Sequence, residues 1–259
     1  LMVESVLIPT ESRTTACVSS QVGCSLNCEF CATAKLKRMR NLEVAEIVDQ
    51  VALIDKQSKL YFDRPLSNIV FMGMGEPMMN YKNVVDAIRK ITQEDGLGMS
   101  ARRITVSTSG IPKMMKMLAD ENLKVKLALS LHSAIEHKRN EIMPFSTKFP
   151  LTEIMEAMQY WYDKTGSRIT FEYCVWKGIN DGDEDIKALI KYCKQVPCKV
   201  NLIQYNPIGE GKFDHRSVEA EEKYVRELEK AGITALVRRS RGGDIDAACG
   251  QLANKNSGE

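Results

Sequence analysis

Residues 14–31 read TTACVSSQVGCSLNCEFC, and the rest of the chain can be interpreted outward from them. Threonine, valine and small residues fill the first seven positions, which predicts a strand. A polar loop over residues 21–40 follows and carries Cys24, Cys28 and Cys31 in the spacing C-x3-C-x2-C. Such a loop after a first strand is typical of alternating α/β proteins, because their functional residues follow the carboxyl ends of the strands.

Downstream of this loop, apolar runs with strand composition alternate with stretches of helical periodicity, one pair in roughly every 25–35 residues. The predicted strands cover residues 14–20, 68–72, 103–107, 125–131, 168–175, 199–204 and 234–239. The predicted helices cover residues 42–60, 81–92, 112–119, 151–164, 185–194, 218–231 and 244–253. Alternation of this kind forms a parallel sheet with right-handed crossovers. The pattern therefore predicts an α/β protein, either a doubly wound sheet or an open or partial barrel.

The composition is that of an ordinary globular protein, with 259 residues, 44% hydrophobic and 27% charged. These values exclude disorder, collagen and coiled coil as descriptions of the whole chain. The 36 Lys and Arg minus the 34 Asp and Glu give a net charge of +2, which excludes a strongly basic chain but allows local basic patches. No apolar run approaches the roughly 18–20 residues that cross a bilayer, and residues 1–15 do not resemble a secretory signal.

Eight cysteines are present, and three of them lie within eight residues. Secreted disulfide frameworks belong to shorter chains with cysteines throughout, so we expect a reducing, cytoplasmic compartment. Thiolates are soft ligands that suit iron–sulfur clusters and zinc. A structural zinc site closes with four ligands, often as two separated pairs, and the sequence has no second CxxC pair, so a cluster is favoured. Three thiolates would leave one iron of a four-iron cluster open to a substrate or cofactor.

The cysteine motif, with Phe30 before its last cysteine, resembles the radical S-adenosylmethionine (SAM) superfamily. Further segments narrow the resemblance to the dual-specificity RNA methyltransferases, which methylate C2 of adenine in 23S rRNA and in certain tRNAs. In chain order, these segments are CVSSQVGCSLNCEFCATA from residue 17, RNL at 40–42, MGMGEP at 72–77, STSG at 107–110, SLH at 130–132, NLIQYNP at 201–207 and GGDIDAACGQLA at 242–253. The resemblance implies a partial (βα)6 radical SAM barrel with short N-terminal and C-terminal extensions.

The resemblance also implies a division of the chain into two parts. Residues 14–259 would form the catalytic core, and residues 1–13 would be the edge of an N-terminal accessory domain that helps to grip RNA. We therefore expect this chain to bind SAM and a cluster but to methylate RNA poorly.

The same resemblance assigns the cofactor sites. Cys24, Cys28 and Cys31 would bind a [4Fe–4S] cluster whose open iron chelates SAM. The SAM site would comprise Gly75, Glu76, Ser107, Ser130, Leu131, His132 and Asn206. For two of these residues, Gly75 and Glu76, there is also a physical reason to expect them at the SAM site. Glycine lets the backbone approach a ligand closely, and the Glu76 carboxylate is able to accept hydrogen bonds from the SAM amino group.

Adenine C2 is an electron-poor ring carbon, so simple methyl transfer from SAM should fail there, whereas a radical addition succeeds. The resemblance implies that Cys249 takes a methyl group from SAM and that a radical on this group adds to C2. Cys17 then attacks the Cys249 sulfur, which releases the product and leaves a disulfide. Glu4 corresponds to a carboxylate that serves as proton acceptor, and Cys17 is the competing base. The cysteines that match no catalytic motif, and that we expect in the core, are Cys174, Cys193 and Cys198.

Three basic runs, at residues 35–40, 102–103 and 238–241, are candidate contacts for RNA phosphates. We expect 23S rRNA and tRNA as partners, a flavodoxin-type electron donor, a monomeric protein and no membrane association. Two alternatives stay open: a 23S rRNA adenine methyltransferase that acts at C8, or a catalytically impaired core fragment that binds SAM and RNA. A non-catalytic zinc-bearing or RNA-binding module is disfavoured, because Cys17 and Cys249 are both present beside the cysteine triplet.

Overall fold

An eight-stranded sheet forms the framework of the protein, whose computed structural model describes residues 1–209, 213 and 218–254. The strands within these ranges are β1 (Val6–Pro9), β2 (Thr14–Cys17), β3 (Gln21–Val22), β4 (Arg40–Asn41), β5 (Asn68–Phe71), β6 (Ile104–Thr108), β7 (Lys126–Ser130), β8 (Ile169–Cys174), β9 (Cys198–Ile203) and β10 (Ala235–Arg238). The helices are α1 (Ala32–Lys35), α2 (Val44–Phe62), α3 (Tyr81–Thr92), α4 (Pro112–Asp120), α5 (Glu136–Ile142), α6 (Leu151–Thr165), α7 (Asp183–Cys193) and α8 (Val218–Lys230). Short 3-10 helices cover Pro77–Asn80, Ala101–Arg103, Pro144–Lys148 and Gly243–Ile245. In the part of the chain that the structure describes, no helix combines the length and the apolar character needed to span a membrane.

The sheet has the order β1-β2-β5-β6-β7-β8-β9-β10, and its neighbouring strands run parallel from β2 to β10. Six of them, β2 and β5 to β9, are the strands of a partial (βα)6 barrel. β1 extends one edge as an antiparallel partner of β2, and β10 extends the other edge. The predicted fold class is therefore confirmed. β3 and β4 form a separate two-stranded ribbon that closes the base of the cysteine loop.

β1 is an element that the sequence analysis did not predict. The four residues of this strand are half-buried, and they pair with β2 from Val6 opposite Cys17 to Pro9 opposite Thr14. Four residues are too few to show a convincing alternation, and the proline is tolerated because it lies at the edge of the sheet. Residues 1–13, which the sequence assigns to the border of another domain, thus also supply an edge strand to this sheet.

The predicted helix over residues 244–253 is wrong. A 3-10 turn at Gly243–Ile245 is the helical part of this range. Asp246 has a φ of 54° and Gly250 a φ of 84°, and such left-handed residues cannot continue a right-handed helix. The segment is an irregular loop whose apolar and small residues imitate a helical pattern.

Alternation along the strands separates a core face from a cavity face. In β6, Ile104 and Val106 are fully buried in the hydrophobic core, whereas Thr105 and Ser107 are half-buried. Successive side chains of a strand point to opposite faces of the sheet, so Ser107 faces the inside of the curved sheet. The same alternation in β8 directs Glu172 to that inner side.

Helix α6 shows how the outer layer is held. Its buried residues recur at three- and four-residue intervals and include Leu151, Ile154, Met155, Met158 and Trp161. Burial of each large apolar side chain contributes about 1.5–3 kcal/mol to the free energy of unfolding. Gly166, with a φ of 63°, ends the helix in a left-handed cap.

Candidate active site

A cavity of about 1020 Å³, counted with its open mouth, lies where the parallel strands end. Segments that follow β5, β6, β7, β8 and β9 form much of its wall. The predicted site residues that line it are Cys24, Cys28, Cys31, Gly75, Glu76, Ser107, Ser130, His132, Asn206 and Cys249. The predicted site residues that do not line it are Glu4, Cys17 and Leu131.

The cysteine loop is shaped by tight backbone contacts. Gly23 has a φ of 73°, and a Cβ at this position would lie 2.4 Å from a main-chain carbonyl oxygen across the loop. The amide of Cys24 donates to the carbonyl oxygen of Leu36 at 3.1 Å, and that of Cys31 donates to the carbonyl oxygen of Cys28 at 3.2 Å. With this backbone, three cysteines from eight consecutive residues reach one cavity wall.

Burial keeps two of these thiols protonated at neutral pH. It raises the pKa of Cys24 to about 11 and raises the pKa of Cys28 well above its ordinary value. A metal would displace these protons, because the thiolate is the form that binds metal. Within the described ranges, no three or more His, Cys, Asp and Glu side chains form a group that could hold a single metal ion. A cluster does not require such a group, since each cysteine binds a different iron, and three thiols on one cavity wall fit that arrangement.

The turn after β5 presents Glu76 to the cavity. Its carboxylate accepts hydrogen bonds from the Ser109 amide at 2.8 Å, from the Ser109 hydroxyl at 2.7 Å and from the Met78 amide at 3.0 Å. Burial raises the pKa of Glu76 above its ordinary value in spite of these donors. Gly75 precedes it with a φ of 90°, and a Cβ there would lie 2.4 Å from the Cβ of Gln21, so the turn requires glycine.

The end of β7 places consecutive side chains in different surroundings. Ser130 lines the cavity, whereas Leu131 is fully buried in the hydrophobic core. His132 has a φ of 55°, and its Nδ1 accepts a hydrogen bond from the Cys174 amide at 3.2 Å. Its ring meets the edge of the Phe30 ring, with 4.6 Å between the centroids. Burial lowers the pKa of His132 to about 3, so the imidazole is neutral at pH 7 and carries its proton on Nε2.

The segment that carries Cys249 is attached to the cysteine loop. The Ala32 amide, one residue after the last cysteine of the loop, donates to the carbonyl oxygen of Gly250 at 2.7 Å. The side-chain amide of Asn206 donates to the carbonyl oxygen of Cys249 at 3.2 Å. These contacts hold Cys249 at the cavity that the three loop cysteines also line.

Cys17 ends β2 and lies close enough to Cys249 for their charges to interact, although it does not line the cavity. Burial, together with the charge of Cys249, raises the pKa of Cys17 to about 12. Burial of the thiol also raises the pKa of Cys249 to about 11, even though the residue has exposed surface. The guanidinium of Arg238 acts in the opposite direction on both thiols. The two cysteines therefore share one electrostatic environment.

Glu4 lies outside the cavity, against the C-terminal segment. Its carboxylate accepts a hydrogen bond from the Asn254 amide at 2.9 Å. Its own amide lies 3.4 Å from the sulfur of Met74, in the turn after β5. The carboxylate would have to leave Asn254 to reach a substrate in the cavity.

Sequence reasoning missed two cavity residues on β8. Glu172 and Cys174 both line the cavity, and Cys174 is at the same time buried in a small apolar cluster, as expected for a core cysteine. Glu172 accepts a hydrogen bond from the Asn201 side chain at 2.9 Å, and its other oxygen lies 3.7 Å from Arg238. Burial raises the pKa of Glu172 above its ordinary value. An acidic residue inside an otherwise apolar strand is the signal that could have pointed to it. The cysteines that pack in or against apolar clusters, as expected, are Cys174, Cys193 and Cys198.

Parts of the basic runs are engaged by the protein itself. Arg40 donates to both carboxylate oxygens of Glu46, at 2.6 and 2.7 Å. Arg241 donates to the carbonyl oxygen of Pro9 at 2.9 Å and so links the segment after β10 to β1. The exposed cations of these runs include Lys35, Lys37, Arg38, Arg102, Arg103 and Arg239.

Similarity to known proteins agrees with this geometry. The sequence profile of the Radical SAM superfamily matches residues 18–193, which include the cysteine loop and the strands from β5 to β8. The chain is 69% identical over 255 residues to a probable dual-specificity RNA methyltransferase RlmN of Flavobacterium psychrophilum, covering 98% of this chain and 74% of that protein. It is 68% identical over 257 residues to a protein of the same description from Christiangramia forsetii, covering 99% of this chain and 73% of that protein.

A solved structure extends the similarity to three dimensions. The crystal structure of a radical SAM methyltransferase from Sphaerobacter thermophilus superimposes on this chain with a TM-score of 0.94. The two sequences are 42% identical, and the superposition covers 96% of this chain and 73% of that one. The whole framework of strands and helices is therefore shared with that protein.

Proposed function

This chain belongs to the dual-specificity RNA methyltransferases of the radical SAM superfamily, and we propose that it methylates C2 of adenine in 23S rRNA and in tRNA. The reaction would proceed through a methylated Cys249 and a transient disulfide with Cys17. The observation that carries the proposal is the position of Cys249, which lines the same cavity as the three cysteines of the loop. A thiol there is placed to carry a methyl group between SAM and a carbon that is not a nucleophile.

Cys24, Cys28 and Cys31 would hold the [4Fe–4S] cluster, and SAM would bind beside it. When bound, the cluster supplies the electron for reductive cleavage of SAM, and the radical chemistry belongs to these cofactors. The protein binds and orients SAM. Glu76 is a fixed carboxylate that suits the SAM amino group, and the neutral His132 adds no charge. The remaining groups proposed for the SAM site are Gly75, the hydroxyls of Ser107 and Ser130, the amide of Asn206 and the main chain of Leu131.

Cys249 would lose its proton and accept the methyl group of SAM on sulfur. Cys17 would later act as a thiolate on the Cys249 sulfur, so that the S–S bond forms as the bond from sulfur to the product carbon breaks. The product carbon would keep the electron pair of the broken bond and take up a proton to become the methyl group. Arg238 favours the thiolate form of both residues. The C2 proton would pass to Glu4 or to Cys17. Cys17 lies within electrostatic reach of Cys249, whereas Glu4 is bound to the Asn254 amide.

The partners follow from the same chemistry. The target adenine would have to leave its stack to enter the cavity, which suits an unpaired RNA loop. We propose a flavodoxin-type protein as electron donor, action as a monomer and a cytoplasmic location, where a transient disulfide is readily reduced. We also propose that residues 14–259 form the catalytic core and that residues 1–13 border an accessory RNA-binding domain.

The test is peptide mass spectrometry of anaerobically reconstituted protein after incubation with SAM. We expect one methyl group on Cys249 and none in the Cys249→Ala variant. Cys174→Ala is the matched control, because this thiol lines the same cavity without an assigned role, and its methylation at Cys249 should equal that of the unmodified sequence.

Absence of a methyl group on Cys249, with an intact cluster and bound SAM, would remove the chemical basis of the proposal. If Cys249 is methylated, nucleoside analysis of treated 23S rRNA then separates C2 from C8 as the site of modification. Methyl-adenine at C8 would assign the chain to the alternative reaction.

A further inference from the structure

Arg139, in α5, is a cation buried beside the cavity wall. Its side chain is fully buried, and Nη2 donates to the carbonyl oxygen of Ser109 at 2.6 Å and, more weakly, to that of Ser130 at 3.4 Å. Nε and Nη1 have no hydrogen-bond partner among the described residues. Its hydrogen bonds therefore go to neutral groups, although the charge of Glu136, three residues earlier in α5, also acts on it. A buried cation with so few polar partners gains further stability from any anion that lies nearby.

Helix α5 is in direct contact with the cysteine loop. The Glu29 amide donates to the carbonyl oxygen of Ile142, almost one turn after Arg139, at 3.1 Å. Cys28 packs against the small apolar cluster that includes Ile142. The two carbonyl groups that Arg139 binds belong to Ser109 and Ser130, which line the same cavity as Cys28. Arg139 is thus placed where its field reaches the cysteines of the loop.

We propose that the positive charge of Arg139 raises the reduction potential of the cluster that Cys24, Cys28 and Cys31 would hold. Three thiolates make the site anionic, and uptake of one electron adds a further negative charge. A fixed cation in low-dielectric surroundings stabilises that added charge, and its burial limits screening by salt. Arg139 is therefore a positioning residue that acts through the cluster. The inference rests on the cluster site of the proposed function and is independent of the RNA chemistry.

The test is a redox titration of the reconstituted cluster in the absence of RNA. Dithionite with mediators supplies the electron, and EPR spectroscopy measures the reduced fraction. Arg139→Gln removes the charge but keeps hydrogen-bonding groups, whereas Arg139→Lys keeps the charge. Lys138→Gln is the matched control, because it removes a charge one residue earlier that is paired with Glu184 and Asp185.

At a fixed potential near the midpoint, we expect the ratio of reduced to oxidised cluster to fall about ten-fold in Arg139→Gln. This change equals a shift of about 59 mV to lower potential for a one-electron couple. Arg139→Lys and Lys138→Gln should keep the midpoint of the unmodified sequence. An unchanged midpoint in Arg139→Gln, with full cluster content, would overturn the proposal.

The cluster content of each variant is measured as well, so that the test still decides if Arg139→Gln does not assemble a cluster. Arg139→Met then removes the charge with an apolar side chain that suits a buried site, and its midpoint replaces that of the glutamine variant. Failure of both neutral variants, with assembly of Arg139→Lys, would support a requirement for the charge. If none of the three variants assembles a cluster, the proposal is rejected in favour of a structural role for the guanidinium. Because no RNA is present, a failure of RNA methylation would be a separate result.

Discussion

At the scale of single residues, His132 makes the stability of the folded protein depend on pH. Its pKa is about 3 in the folded protein, against an ordinary value of 6.5, because burial disfavours the charged imidazolium. Between these values the unfolded chain binds more protons than the folded one. The contribution of this residue to stability is therefore complete above pH 6.5 and is lost as the pH falls towards 3, at about 1.4 kcal/mol per pH unit.

We predict that His132→Asn reduces the loss of stability between pH 6.5 and pH 5 by about 2 kcal/mol. Asparagine suits the test because it is uncharged throughout and tolerates the left-handed φ of 55° at this position. Urea denaturation gives the free energy of unfolding of each protein at the two pH values. The change between the two pH values is then compared between the variant and the unmodified sequence, so that the packing lost against Phe30 cancels. Equal pH dependence in both proteins would show that the buried imidazole does not titrate in this way.

The identity of a residue predicts its chemistry better than it predicts which face of the sheet its side chain points to. The three loop cysteines, Glu76 and Cys249 belong to motifs, and the structure places all of them at one cavity. Leu131 belongs to the same motif as His132, but strand alternation turns its side chain into the core. Glu172 reaches the cavity by the same alternation without any motif. All six residues of β8 are buried, so burial does not distinguish its inward face, and the acidic side chain of Glu172 is the signal in its sequence.

At the scale of elements, the turn after β5 and the end of α6 both use a left-handed glycine, for different reasons. A Cβ at Gly75 would lie 2.4 Å from the Cβ of Gln21, whereas at Gly166 no atom lies within 4 Å. We predict that Gly166→Ala costs about 1–2 kcal/mol, the penalty of the left-handed backbone. Gly75→Ala should cost about 1–3 kcal/mol more, because overpacking adds to that penalty.

The two alanine variants also separate stability from binding. Displacement of Gln21 would disturb Glu76, whose amide donates to the Gln21 side chain at 2.9 Å. We therefore expect SAM affinity, measured by equilibrium dialysis, to fall at least about ten-fold in Gly75→Ala, a cost of about 1.4 kcal/mol. Gly166→Ala should bind SAM as the unmodified sequence does. Equal affinities in the two variants would argue against a role of this turn in SAM binding.

Long, strongly patterned elements were predictable, and short or irregular ones were not. α2 and α6 carry apolar residues on one face for several turns, and the strands from β5 to β9 are rich in apolar and β-branched residues. β1 has four residues, too few to show a convincing alternation, although it pairs with the next strand across a connection of only four residues. The course of the segment after β10 is set by the left-handed backbone conformations of Gly242 and Asp246. A pattern of apolar and polar residues does not reveal such conformations.

At the scale of the whole molecule, the exposed cations of the basic runs are not among the residues that line the cavity. The cavity is enclosed by the sheet and by two segments that meet at the Ala32–Gly250 hydrogen bond. RNA affinity instead depends mainly on cations that neutralise phosphates, and each such contact steepens the salt dependence. The net charge of this chain is only +2, and Arg40 is already paired with Glu46.

We therefore predict that replacing the exposed cations Lys35, Arg38 and Arg239 together with glutamine leaves methylation of Cys249 unchanged but lowers kcat/KM for RNA at least about ten-fold at low RNA concentration. The measurement compares kcat/KM for RNA in the variant and in the unmodified sequence at two salt concentrations, with Cys249 methylation as the control for an intact site. A shallower salt dependence in the variant would trace the loss to phosphate contacts made by these cations. Equal kcat/KM values would contradict the prediction and would exclude these three cations as contacts for RNA phosphates.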